Sequence, residues 1–269
     1  MQVAKTESDL RVYLVEPSAV QARIIAGALR NLGVRHIDIF DTGAAVVSAM
    51  QKHRPDVVVS AYYLPDQTGT DLIHAIRADE QLVDVAFVLV SSETRPQALN
   101  GVRQSGACAI VPKPFTDQQL SRALVSTLDY LQRDDDFAES ALEPQRLRVL
   151  IVDDSQSSRR FIRRVLGNLG VEHFLEADNG VGAIRILNDT AVDLVVTDYH
   201  MPEMDGRALV EYIRQQSWQA EVPILMVTSE DDMSRLAAVE EAGVSGICDK
   251  PFETDTIRSL LGRVLAGRN

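Results

Sequence analysis

The chain has few cysteines, few aromatic side chains and no long apolar run. Its 269 residues include only two cysteines, Cys108 and Cys248, and one tryptophan. The cysteines lie far apart without metal-ligand spacing, which favours buried reduced thiols over a disulfide or a zinc site. No run approaches the roughly 18 apolar residues of a membrane span, and residues 1–7 lack an apolar signal core. The sequence therefore predicts a cytoplasmic protein that does not span a membrane.

Positive charge is also scarce. The chain has 27 lysine and arginine residues against 39 aspartate and glutamate residues, which gives a formal net charge of −12. Because a cationic surface supplies most of the affinity of a protein for nucleic acid, we expect no nucleic-acid partner. An apolar fraction of 45% is enough to fill the cores of two ordinary domains in a chain of this length.

An internal repeat divides the chain. Asn-Leu-Gly-Val at residues 31–34 recurs at residues 168–171, and Lys-Pro-Phe at residues 113–115 recurs at residues 250–252. The separation is 137 positions in both cases, from 31 to 168 and from 113 to 250, so the copies align without a gap between these anchors. A repeat of this length predicts two copies of one fold.

An acidic segment separates the two copies. Residues 134–144 contain five acidic side chains and no basic one. Such a run favours a solvated segment, and a proline stops any helix that enters it. We therefore predict an exposed acidic linker over residues 133–145, between one domain at residues 9–132 and another at residues 146–267.

Each copy alternates short β-branched runs with helical stretches, the pattern of βαβ units on a parallel sheet. In the second copy the predicted strands are residues 148–152, 173–177, 194–197, 223–227 and 246–248. Five strands and five helices per copy predict two flavodoxin-like (βα)5 domains of the doubly wound α/β class, each with a five-stranded parallel sheet. Ligands of such sheets bind beside the first and third strands, at the carboxyl edge.

Polar side chains follow the predicted strands of the second copy. Asp153 and Asp154 follow the first strand, and Asp198 follows the third. Thr228 and Lys250 follow the fourth and the fifth. Because neighbouring carboxylates repel one another, a cluster of three requires a compensating cation. Mg²⁺ prefers oxygen ligands, so the sequence predicts a magnesium site at this edge.

These residues, in this order and with Met-Pro-x-Met-Asp-Gly at residues 201–206, resemble the full set of a response-regulator receiver domain. The resemblance implies that Asp198 is phosphorylated from a phosphohistidine of a histidine kinase or phosphotransfer protein. It also implies that Asp154, Asp198 and the backbone carbonyl of His200 bind Mg²⁺, with Asp153 acting through a water.

The same resemblance assigns the remaining catalytic positions. It implies that Lys250 contacts a phosphoryl oxygen through a lysine–proline bond that is cis, and that the Thr228 hydroxyl turns toward the phosphoryl group. The sequence departs from the family at Ile247, where an aromatic side chain is common, and Ile110 occupies the matching position of the first copy. This departure predicts a conformational readout that does not use the usual coupling between the threonine and an aromatic side chain.

The first copy has lost the acceptor. Its residues at the five site positions are Glu16, Pro17, Ala61, Ser91 and Lys113. Alanine offers no nucleophile and proline removes a metal-ligating carboxylate. We therefore predict a degenerate pseudo-receiver that does not accept a phosphoryl group, in which Glu16 and Lys113 pair with each other.

The sequence predicts a two-component response regulator that signals through protein contacts with an unknown target, with the first copy as a regulatory or interaction module. Beyond self-catalysed phosphotransfer and autodephosphorylation, no enzyme activity is expected.

Arginines 159, 160, 163 and 164 form either a solvated face or a surface for an acidic kinase. The sequence leaves open whether the protein forms a homodimer. The alternatives are the input half of a larger effector, such as a diguanylate cyclase, and a haloacid-dehalogenase-like phosphatase, whose nucleophile would instead follow the first strand.

Overall fold

A computed structural model of the protein describes residues 6–140, 143–229, 233–251 and 254–266. The chain forms two compact units, which divide between Gln132 and Arg133. In the parts of the chain that the structure describes, no helix has both the length and the apolar character to cross a membrane.

The first unit is a parallel sheet with helices on both faces. Its strands are β1 (Arg11–Val15), β2 (His36–Phe40), β3 (Val57–Ser60), β4 (Ala86–Ser91) and β5 (Ala109–Pro112). Its helices are α1 (Ala19–Asn31), α2 (Gly43–Met50), α3 (Gly69–Ala78), α4 (Pro96–Gln104) and α5 (Asp117–Leu131). The strand order is β2-β1-β3-β4-β5, which is the doubly wound order that the sequence predicts.

The second unit repeats this architecture after a four-residue helix, α6 (Asp135–Ala138). Its strands are β6 (Arg148–Val152), β7 (His173–Ala177), β8 (Leu194–Thr197), β9 (Ile224–Thr228) and β10 (Gly246–Asp249). Its further helices are α7 (Gln156–Asn168), α8 (Gly180–Asp189), α9 (Gly206–Gln216), α10 (Met233–Glu241) and α11 (Thr254–Ala266). The order is β10-β9-β8-β6-β7, so the predicted fold class is confirmed in both units.

The predicted strands of the second copy agree closely with the structure. The first three have the predicted bounds, β9 begins and ends one residue later, and β10 ends one residue later. The inner strands are apolar on both faces because helices cover both faces of the sheet. All six residues of β4 are buried, for example. The strand ends therefore hold their polar side chains on a rigid scaffold.

Part of the segment between the copies packs against the second unit. The backbone N–H of Asp134 donates a 2.8 Å hydrogen bond to the carbonyl of Asn168. Ala138 is buried. It packs so closely on Gly170 that a Cβ built on this glycine would lie 2.7 Å from the Cα of Ala138. The side chains of Asp135 and Asp136 are exposed. In the segment predicted as linker, residues 141 and 142 lie outside the described residues, as does residue 267 at the end of the second predicted domain.

Candidate functional site at the carboxyl edge of the second sheet

Strand pairing brings two of the predicted acids together. β6 and β8 are parallel neighbours, with Val152 opposite Thr197. The N–H of Asp198 donates a 2.8 Å hydrogen bond to the carbonyl of Val152. Asp153 and Asp198 therefore leave adjacent strands at the same edge, and both side chains are fully buried.

Lys250 lies between these two carboxylates. Its Nζ donates hydrogen bonds of 2.6 Å to Oδ2 of Asp153 and 3.0 Å to Oδ2 of Asp198. The lysine side chain is only 3% exposed, so the ion pairs are screened little by solvent. Its backbone N–H donates to the carbonyl of Thr228 at 2.7 Å. The following bond to Pro251 is cis, as predicted.

Asp153 is held by its own loop as well as by the lysine. Its Oδ1 accepts from the N–H of Ser155 at 2.8 Å, and its Oδ2 accepts from the hydroxyl of Ser158 at 2.6 Å. Burial raises the pKa of the Asp153 carboxyl, the nearby Asp198 adds to the increase, and Lys250 opposes it. One lysine faces a cluster of three carboxylates at this edge, so negative charge is in excess.

The three predicted acids form a cluster whose chemistry fits a hard cation. Asp153, Asp154 and Asp198 each offer a carboxylate oxygen, and these oxygens lie within 4.8 Å of one another. Asp154 is exposed while the other two are buried. Mg²⁺ takes oxygen ligands and usually keeps several waters, so one buried side and one open side suit it. The donor set therefore fits the magnesium ion that the sequence predicts.

The loop after Asp198 is shaped by a glycine. A Cβ on Gly206 would lie 2.1 Å from the backbone oxygen of Asp198, so no side chain can be accommodated there without moving the acid. Asp205 caps α9 by accepting from the N–H of Ala208 at 2.8 Å. The imidazole of His200 lies against the ring of Tyr199, with centroids 4.8 Å apart. The metal-binding role of the His200 carbonyl stays a prediction.

The remaining predicted positions lie beside this cluster. Thr228 is fully buried at the end of β9, next to the start of the lysine loop. Ile247 packs against the apolar core of the unit. Phe252, the last residue of the repeated Lys-Pro-Phe motif, lies outside the described residues. The structure thus brings together Asp153, Asp154, Asp198 and Lys250 directly.

The matching edge of the first unit carries different contacts. Nζ of Lys113 donates a 2.6 Å hydrogen bond to Oε2 of Glu16, so the predicted pair is confirmed. The hydroxyl oxygen of Ser91 accepts from the N–H of Glu93 at 2.9 Å. Ala61 is buried at the position that Asp198 occupies in the second unit. Within the first unit, the lysine and the serine are both engaged by neighbouring residues.

Sequence reasoning missed two residues that support Asp153. Besides Ser158, Arg159 donates from Nη1 to the Asp153 carbonyl at 2.5 Å. Its Nε also pairs with Oε2 of Glu176 at 3.2 Å. Both residues lie one turn or less into α7, after the Ser155 cap. The sequence signal that could have identified both residues is their position in the first turn of the helix that follows Asp153.

Comparison with known proteins identifies the class that this fold and site define. The family model of the response regulator receiver domain matches residues 12–125 and again residues 149–262 of this chain. The chain therefore belongs to the response regulator receiver domain family, with two domains in tandem. It is a two-component signal-transduction protein. This membership favours the receiver interpretation over the phosphatase alternative.

Two relatives from the chemotaxis proteins each match slightly less than half of the chain. The chemotaxis protein CheY1 of Helicobacter pylori is 38% identical over 120 residues, which cover 44% of this chain and 97% of that protein. The chemotaxis protein CheY-3 of Vibrio cholerae is 35% identical over 124 residues, covering 46% and 95%. A solved structure of a probable two-component system response regulator/GGDEF domain protein covers 96% of this chain and 98% of its own, with 22% identity and a TM-score of 0.44.

Proposed function

We propose that the second unit accepts a phosphoryl group on Asp198 and that the first unit does not. The observation that carries this proposal is the position of the Lys250 ammonium, 3.0 Å from Asp198 and 2.6 Å from Asp153. The only aligned counterpart of the acceptor in the first copy is Ala61, which has no oxygen to phosphorylate.

The reaction is a phosphoryl transfer from nitrogen to oxygen. A carboxylate oxygen of Asp198 attacks the phosphorus, the phosphorus–nitrogen bond of a phosphohistidine breaks, and its electron pair leaves with the imidazole. Such transfers depend mainly on positioning and on charge stabilisation. The N–H of Tyr199 fixes one Asp198 oxygen at 2.7 Å, and Lys250 places a cation where phosphoryl oxygens arrive. Thr228 supplies a hydroxyl to another of these oxygens.

Asp154, Asp198 and the carbonyl of His200 would hold Mg²⁺, and Asp153 would act through a water. When bound, Mg²⁺ offsets the negative charge of the phosphoryl oxygens and the carboxylates. Lys250 alone faces two carboxylates, so a second cation is required before a phosphoryl dianion is favourable there. Asp154 is the exposed member of the cluster, so the cation would enter from its side.

The phosphoryl donor would be a histidine kinase or a phosphotransfer protein, and the signal would pass through protein contacts. Arg159 and Arg163 both pair with Glu176 at 3.2 Å, so part of the basic surface of α7 is neutralised within the unit. Arg160 is exposed on the same helix and is available to steer an acidic donor. The first unit would serve as an interaction or regulatory module whose state does not depend on phosphorylation.

Phosphorylation of the full chain with acetyl phosphate and Mg²⁺ tests this function. Intact mass should show one hydroxylamine-sensitive phosphoryl group on the parent protein and none on Asp198→Asn. Asp189→Asn, which changes an exposed aspartate at the end of α8, is the matched control and should label like the parent. Two groups on the parent, or persistent labelling of Asp198→Asn, would overturn the assignment.

A further inference from the structure

A polar groove lies at the opposite end of the first sheet, away from the carboxyl edge. Strand register pairs Arg11 with His36 and Tyr13 with Asp38 on β1 and β2. Residues paired in this way place their side chains on the same face of a sheet. Tyr13 also packs in the core with Val46 and other residues, so this is the face that α2 covers.

The end of α2 leaves room for the groove. This helix has 8 residues, whereas its counterpart α8 has 10. The chain that follows α2 carries His53, whose carbonyl accepts a 3.0 Å hydrogen bond from the Tyr13 hydroxyl. The resulting cavity has a volume of about 490 Å³, within the range of about 300–1,000 Å³ that is typical of small-molecule sites. Its polar lining residues are Arg11, Tyr13, Arg35, His36, Asp38 and His53.

The second unit shows that the fold does not require four of these six polar groups, while Arg148 and His173 keep the residue types of Arg11 and His36. At the positions of Tyr13 and Asp38 it has Leu150 and Leu175. Leu150 is fully buried in the core, and Leu175 packs against it. Arg35 and His53 are likewise replaced, by a glutamate and a threonine. The same backbone therefore forms with different groups at four of the six positions, and the full set of six polar groups is particular to the first unit.

The charge of the groove is unusual for this chain. Among the lining residues, Arg11 and Arg35 contribute two cations and Asp38 contributes one carboxylate, in a protein with a net charge of −12. A second carboxylate, that of Asp56, lies beside the groove and accepts a 2.8 Å hydrogen bond from the backbone N–H of Arg11. Burial raises the pKa of the Tyr13 hydroxyl, Asp38 raises it further, and Arg11 opposes the increase. Arg11, Tyr13 and Asp38 line the same groove. Guanidinium groups suit phosphate oxygens because their N–H groups form a planar fork.

We propose that this groove binds a small phosphate-bearing ligand with hydroxyl groups, the chemistry shared by sugar phosphates and nucleotides. Arg11 and Arg35 contact the phosphate, and Asp38 accepts from a ligand hydroxyl. The two arginines alone would serve any anion. Asp38 repels a bare anion, so its presence favours a ligand that offers a donor beside the phosphate.

Isothermal titration calorimetry of the full chain, with a chelator to keep the Asp198 site free of metal, tests the proposal with three probes. These are inorganic phosphate, ribose 5-phosphate and AMP. We expect saturable binding of at least one of the two organic probes, tighter than inorganic phosphate, and their relative affinity identifies the ligand class. Absence of saturable binding by both organic probes, or equal affinity for all three, would overturn the proposal.

Two variants locate the binding site. Arg35→Glu introduces the residue of the second copy and should weaken binding of the organic probe by about tenfold or more, since a charge-assisted contact is lost. Arg30→Glu makes the same charge change at an exposed position outside the groove and should leave binding within about twofold. Equal weakening in both variants would show a general charge effect and refute the site.

Asp38→Ala separates the two parts of the ligand. Removing the carboxylate should strengthen inorganic phosphate binding, because a repulsion is lost, and weaken binding of the organic probe, because a hydroxyl acceptor is lost. Changes of the same sign for both probes would contradict the role of Asp38. Circular dichroism of each variant verifies the fold, and all three substitutions are at exposed positions.

Discussion

The hydroxyl of Tyr63 donates a 2.5 Å hydrogen bond to Oε2 of Glu93 in the first unit. Tyr63 follows β3 and Glu93 follows β4, so this contact ties together two loops at the edge that corresponds to the proposed phosphorylation site of the second unit. Arg95 adds a 2.6 Å ion pair to the same carboxylate oxygen. We expect these three residues to keep the two loops in one arrangement without phosphorylation.

The stability of this cluster should depend on pH. Hydrogen bonds from Arg95 and then from Tyr63 hold the pKa of the Glu93 carboxyl well below its usual range. Because the folded-state pKa is depressed, the contribution to stability is fully present above the unfolded value of about 4.3 and is lost as pH falls toward the folded value. Glu93→Gln should therefore lower the free energy of unfolding at neutral pH, and the loss should shrink in acid.

Urea unfolding followed by circular dichroism at several pH values measures this difference. Glu80→Gln, at an exposed position, is the control and should show little effect at any pH. A Glu93→Gln effect that does not change between neutral and acidic pH would show that the carboxylate charge is unimportant.

Magnesium should stabilise the second unit. A ligand that binds only the folded state at about 100 times its Kd adds about 2.7 kcal/mol to the free energy of unfolding. Calorimetric scans should show a higher melting temperature with millimolar Mg²⁺. Asp154 is exposed, so Asp154→Ala should fold normally and lose the increase. Equal increases in the parent and in this variant would place the magnesium effect elsewhere.

The first unit should need more than one substitution to regain phosphorylation. Ala61→Asp restores a carboxylate beside the Glu16–Lys113 pair, but Pro17 still withholds a metal ligand. A single lysine already paired with Glu16 at 2.6 Å would not offset a second carboxylate and a phosphoryl dianion. In an Asp198→Asn background, we expect Ala61→Asp to remain unlabelled by acetyl phosphate.

Adding Pro17→Asp to Ala61→Asp should give at least slow labelling. Circular dichroism should first verify the fold, because Pro17 lies at the turn into α1. If Ala61→Asp alone labels as fast as the native second unit, then the acid pair matters less than we propose and the role of Asp154 is weakened.

Gly206 should be essential for the position of the acceptor. A Cβ at this residue would lie 2.1 Å from the backbone carbonyl oxygen of Asp198. Overpacking of this kind costs about 1–3 kcal/mol. Gly206→Ala should lower both stability and the rate of phosphorylation. Gly167→Ala makes the same chemical change in α7, where nothing lies within 4 Å of the added atom. It should stabilise the helix by about 0.5–1 kcal/mol, and a loss of similar size in both variants would contradict this explanation.

Most of the fold and the acidic cluster follow from local sequence. β-branched runs fix the strands, and the carboxyl edge of a parallel sheet gathers whatever follows them, as for Asp153 and Asp198. The 137-residue offset transfers the same elements to the first copy. The strands and the acidic cluster depend on residues that are neighbours in the sequence, and on the rule that ligands of a doubly wound sheet bind at the carboxyl ends of its strands.

Contacts made by long side chains could not be predicted in this way. The bonds from Arg159 to the Asp153 carbonyl and from Tyr63 to Glu93 depend on rotamers, and each joins different loops or turns. The groove beside Tyr13 depends on where α2 ends, and helix ends are the least certain feature of a pattern of apolar residues. Packing of residues 134–138 against the second unit likewise depends on tertiary contacts rather than on charge.

Gly69 keeps the close approach seen in the second unit although Ala61 stands where the second unit has Asp198. A Cβ there would lie 2.9 Å from the carbonyl oxygen of Ala61, and its N–H donates to Tyr62 at 2.6 Å. The glycine therefore serves the backbone turn whether or not a nucleophile precedes it. A genome survey that counted working phosphoacceptors by this loop glycine would score both halves of this chain, whereas one that required the strand-end aspartate would score one.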